Sequence, residues 1–153
     1  MNRKFNKGFS LVELIVVIAI MAILVSVMAP SLMKQINDAR YSKDKATINN
    51  VAEAVFNGIA EEETYDDMMR VADHLPFDIY LSEIYDLADD EGAIGYIFAN
   101  EILDEIDGKV RLVSQGVRGK DGFRDKVVKI HIDEKLVVTV EAEGAAKEIK
   151  IVK

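Results

Sequence analysis

Residues 2–31 read "NRKFNKGFSLVELIVVIAIMAILVSVMAPS". From Phe9 to Ala29 only Ser10, Glu13 and Ser26 interrupt a run of apolar and small residues. A helix over those residues reaches ~31 Å, one hydrocarbon thickness. Arg3, Lys4 and Lys7 precede the run and no acid does, so the N-terminus is expected on the cytoplasmic side. Glu13 is the odd residue. A carboxylate inside a span costs on the order of a few kcal/mol near the centre and less near an end.

Three explanations compete for this segment. A cleaved secretory signal would end near Val27, Met28 and Ala29, but Pro30 would follow the cut and the apolar run is long for a signal core. A plain single-span anchor gains nothing from Glu13. A segment that spans the membrane only for a time, and in which Glu13 meets a partner, makes use of both features.

The stretch "KGFSLVELIVVIAIMAIL" resembles the N-terminal signature of type IV pilins and pseudopilins. The elements are a short basic leader, Gly8, the aromatic Phe9, Glu13 four residues on inside an apolar helix, and Pro30 where many members carry a helix-kinking proline. The resemblance covers roughly Lys4 to Pro30. It implies that a membrane prepilin peptidase cuts between Gly8 and Phe9 and methylates the new amine of Phe9. It also implies that the subunit leaves the bilayer to pack in a fibre, where Glu13 pairs with a neighbour's amine. In a bundle without water a carboxylate and an ammonium are each expensive alone and tolerable together. Pairing them would fix the axial register of an arriving subunit.

Beyond Pro30 the helical pattern becomes one-sided. Leu32, Met33, Ile36, Ala39, Ala46, Val51, Ala52, Val55 and Ile59 recur at three- and four-residue steps, with Lys34, Gln35, Asp38, Arg40, Lys43, Asp44, Lys45 and Asn49 on the other faces. Gly58 marks an end. A continuous helix from Phe9 to about Ile59 would reach ~75 Å, with a bend or loosening near Pro30. Next, the spacing of Tyr65, Met68, Met69, Ala72 and Leu75 predicts a short helix ending before Pro76. That of Phe77, Leu81, Ile84, Tyr85 and Ala88 predicts a second, and Ile94, Ile97, Phe98 and Ile102 a third, weakened by Gly95.

The last third switches to alternation. "KVRLV", "KVVKIHI", "KLVVTVEA" and "KEIKIV" are predicted strands of an antiparallel meander, with Val128, Ile130 and Ile132 on one face and Lys129 and His131 on the other. Such a sheet needs a cover, which the later part of the long helix would supply. The expected fold is α+β, pilin-like. Its segments are a leader (1–8), an apolar helix (9–30), an amphipathic helix (31–60), an acidic, mostly helical connection (61–108) and a β-sheet head (109–153).

Charge is segregated along the chain. The net charge is −8; residues 61–108 hold sixteen acids and the single base Arg70, whereas residues 109–153 hold eleven bases and seven acids. The overall sign argues against direct nucleic-acid binding. The acidic middle is read as a solvated surface or as one complementary to basic residues, of which Arg118, Lys120, Arg124 and Lys126 in "SQGVRGKDGFRDK" are the leading candidates. Gly116, Gly119 and Gly122 make that stretch a loop between strands. His74 and His131 stand in no cluster, and no hydrolase, zinc-protease or phosphate-loop motif appears. Asp86 to Gly92, "DLADDEG", offers oxygens but not the calcium-loop spacing, so no metal or cofactor is expected. Without cysteine the head has no disulfide-closed loop.

A non-enzymatic filament subunit is therefore expected. Its implied partners are copies of itself and other pilins, the prepilin peptidase, an inner-membrane assembly platform with its ATPase, and the membrane before assembly. The precursor would lie in the cytoplasmic membrane and the product in a surface pilus. A pseudopilin of a secretion or DNA-uptake system and a single-span anchored surface protein remain open at this point.

Overall fold

The computed structural model describes residues 9–106, 110, 112–113, 127–144 and 148–153. Gly8 and the basic stretch 114–126, with its three glycines, lie outside the described residues. The elements are α1 (Leu11–Gly58), α2 (Glu62–Ala72), β1 (Phe77–Tyr80), α3 (Leu81–Ala88), α4 (Tyr96–Glu105), β2 (Val128–Ile132), β3 (Val138–Ala142) and β4 (Lys150–Val152). The chain forms two compact units, Met1–Asp38 and Ala39–Lys153.

The described part of the first unit is the first half of α1. Every residue from 9 to 35 is exposed, and an 18-residue window has a mean hydropathy of 3.0. Isoleucine and valine are middling helix formers in water, but a helix closes its own backbone bonds, which is what an apolar surrounding demands. Pro30 lies inside α1, where it supplies no backbone donor.

The second unit holds the core. The buried face of α1 is Asp44, Ile48, Val51, Ala52, Ala54, Val55 and Gly58. It shares one apolar cluster with Ile79 of β1, Val128, Ile130 and Ile132 of β2, and Val138, Val140 and Ala142 of β3. The sheet is fully antiparallel in the order β1-β2-β3-β4. Lys129 and His131 alternate outward from β2, as its spacing predicts. The result is the expected α+β arrangement, a long helix packed on an antiparallel sheet.

Four details differ from the sequence reading. Phe77–Tyr80 is a strand, not the start of a helix, and it pairs with β2 through Phe77 opposite Ile132 and Tyr80 opposite Lys129. The sheet therefore draws a strand from the acidic middle, where "FDIY" alternates and the helical spacing holds only from Leu81. Val110, Leu112 and Val113 of "KVRLV" are not in a strand. They are held another way: Leu112 is fully buried, Val110 N–H donates to Tyr85 Oη at 2.8 Å, and Val113 N–H donates to Asp44 Oδ1 at 2.7 Å.

The apolar stripe of α1 also buries less than its pattern promised. Leu32, Met33, Ala39 and Ala46 are exposed, whereas Ile48, absent from that pattern, is fully buried. Periodicity identifies a face but not the length over which other elements cover it. Asp44, expected on a solvated face, is fully buried on the core side.

Candidate functional site at the first turn of α1

Phe9 and Ser10 lead into α1, and Phe9 is 82% exposed. The first helical bond runs from Leu14 N–H to Ser10 O at 3.2 Å. Glu13 stands in the first turn, where an acid is favoured by the unpaired N–H groups and the positive end of the helix dipole. Its carboxylate turns back along the chain, and Oε2 accepts the Ser10 N–H at 2.9 Å. After this turn comes the exposed apolar length of α1. Among the described residues α1 is the one helix long and apolar enough to cross a membrane.

This arrangement coincides with a known signature. The family described as "Prokaryotic N-terminal methylation motif" matches residues 3–29. The N-terminal segment thus carries the prepilin-type signal of the type IV pilin and pseudopilin superfamily. Its motif implies processing by prepilin peptidase and assembly into pilus-like filaments, with membrane anchoring through the apolar helix beforehand. Pilin-like proteins are structural rather than catalytic. No curated protein and no solved structure matches the chain.

The other sequence candidates fall outside this site. His74 is exposed beside Asp73, with Nδ1 3.8 Å from Oδ2. Asp90 Oδ1 accepts the Gly92 N–H at 3.0 Å, a turn contact within "DLADDEG". Among the described residues no group of three or more potential ligands could hold a metal ion.

His131 does belong to a small cluster, on the outer face of the sheet. Its Nδ1 lies 2.6 Å from Asp78 Oδ1, and Lys129 Nζ lies 3.0 Å from Asp78 Oδ2. Partial burial pushes the Asp78 carboxyl up, but the bonds from His131 and Lys129 outweigh it and hold the group below its ordinary value of 3.8. A carboxyl with a depressed folded value stabilises the fold above its unfolded value, and that contribution is lost as pH falls through the folded one. Asp78→Asn is thus expected to lower the melting temperature by a few degrees near pH 7. The two melting curves should converge as the pH drops below 3.8. A constant gap across a pH series would contradict this role.

Two buried acids escaped the sequence reading. Asp44 holds Val113, and Asp67 of α2, only 5% exposed, accepts N–H groups from Gly95, Ile97 and Phe98 at the start of α4. Both hold the head together. The one available signal was the placement of Asp44 four residues before Ile48 on the apolar face of α1.

Proposed function

We propose that the chain is a pilin, a structural subunit that polymerises into a type IV pilus at the cell surface, serving adhesion, twitching motility or biofilm formation. What supports the reading is Glu13, the one acid in a first stretch of α1 that is otherwise uncharged, mostly apolar and exposed up to Met33. The peptidase cuts between Gly8 and Phe9 and methylates Phe9. The leader carrying Arg3, Lys4 and Lys7 stays behind. The assembly platform and its ATPase then draw the subunit from the membrane. The exposed apolar length packs against other copies, with Pro30 easing its curvature, and Glu13 takes a neighbour's amine.

The decisive experiment combines mass spectrometry of the mature chain with antibody-labelled electron microscopy. The expected result is a chain starting at N-methylated Phe9 and long surface fibres containing it. Processing without such fibres would favour a pseudopilin, and an uncut leader would favour a single-span anchor. Glu13→Ala is expected to reduce fibre yield at least tenfold. An amine left buried without its partner costs about 3–5 kcal/mol. Undiminished fibres in that strain would remove Glu13 from the mechanism.

A further inference from the structure

We infer that Glu13 is the N-terminal cap of its own helix, and that this cap, rather than a neighbouring subunit, sets where its carboxylate stands. The neighbour's amine belongs to the filament reading above; the cap stands without it. Ser10 and Glu13 occupy the N-cap and N3 positions of α1, the spacing at which a glutamate reaches back to the cap residue's N–H. The observed bond, 2.9 Å from Ser10 N to Oε2, is that contact.

The chain builds the same contact a second time. At the start of α3, Glu83 Oε2 accepts the Tyr80 N–H at 2.7 Å, again over three residues. Glu83 sits in the head, directly after β1, far along the chain from the methylation motif. One spacing gives one bond in two unlike settings, so the bond arises from local geometry. Its value differs between them. An exposed helix start recruits water for its free N–H groups, whereas an apolar surrounding offers none, and an unpaired donor there is costly.

The cap occupies one carboxylate oxygen. Oε1 has no hydrogen-bond partner among the described residues. Glu13 therefore serves in two ways at once: Oε2 closes the first turn, and Oε1 is left to take an incoming cation. The two services need different chemistry. Capping needs an acceptor, which a glutamine amide retains. Pairing with an ammonium needs the charge, which glutamine lacks. Alanine provides neither.

The test uses the full mature chain in detergent micelles, as wild type, Glu13→Gln and Glu13→Ala. Amide hydrogen exchange at Ser10 reports the cap, and fibre counts in the corresponding strains report the pairing. The expected Ser10 protection is similar in wild type and Glu13→Gln and about tenfold lower in Glu13→Ala. Fibres are expected in the wild type alone. Equal Ser10 exchange in all three chains overturns the cap, as does a Glu13→Gln chain that exchanges as fast as Glu13→Ala. Normal fibres from Glu13→Gln with Ser10 still protected would keep the cap and overturn the charge pairing, so the two readings fail separately.

Discussion

Replacing Asp67 by alanine is expected to destabilise the head by about 3–5 kcal/mol, the largest loss from any single polar side chain described. Helix α4 begins at Gly95, which has no side chain to cap it. Asp67 performs that task from α2. Its Oδ1 accepts Gly95 N–H at 3.1 Å, while Oδ2 accepts Ile97 N–H at 2.9 Å and Phe98 N–H at 3.1 Å. Removing the carboxylate strands three donors in a place where water has little access, at about 1–3 kcal/mol for a buried donor. It also withdraws a negative charge from the positive end of a helix. The residues behind this cap are core: Phe98, Ala99 and Ile102 are fully buried.

Thermal melting of the full chain in mild detergent should show the head transition lower by roughly 10–20 °C. Asp67→Asn is the informative control. Its single carbonyl oxygen serves Ile97 and Phe98 or serves Gly95, with the amide hydrogens facing the other donors, so a loss of about half is expected. If Asp67→Ala melted within a degree or two of the wild type, the capping account of α4 would be wrong.

The reach of the sequence can be judged from such residues. The apolar half of α1 was legible because twenty-odd residues without a charge pair admit few other structures, and β2 and β3 were legible because alternation over five residues is hard to mimic. β4 is only three residues, and its signal came from the longer alternating stretch "KEIKIV" around it. "KVRLV" shows how it is mimicked: its alternation yields one deeply buried leucine, Leu112, without a strand. β1 was hidden because four residues are too few to show a period, and a helix begins immediately after them. Asp67 was hidden for a different reason. It sits beside Asp66 in a segment crowded with acids, and what distinguishes the two is α4, whose donors stand 28 to 31 residues further on. No local pattern carries that information. At the candidate site the positions of Gly8, Phe9 and Glu13 are local and readable. The Ser10-to-Glu13 bond was readable too, as a serine three residues before a glutamate at the head of an apolar run.

Gly95 supports the second large prediction. Gly95→Ala is expected to cost about 3–4 kcal/mol, from two independent sources. Gly95 has φ +92°, a backbone state that costs an L-residue with a Cβ about 1–2 kcal/mol. A Cβ built there would also stand 2.5 Å from Val71 Cγ2 and 3.2 Å from Leu87 Cδ1. Val71 lies within α2, where a β-branched side chain has essentially one χ1 rotamer, so its methyl does not swing aside. The overlap must be relieved by moving α4 away from α2, and that movement pulls Gly95 and Ile97 N–H from Asp67. The steric and capping contributions are therefore coupled. A Gly95→Ala and Asp67→Ala double variant should lose clearly less than the sum of the two single losses, as residues sharing a contact do. A Gly95→Ala and Val71→Ala pair separates the two sources. Shortening Val71 removes the overlapping methyl and should recover part of the loss, while the positive φ keeps the remainder. Full recovery in that pair would assign the whole cost to the contact with Val71, and no recovery would assign it to the backbone.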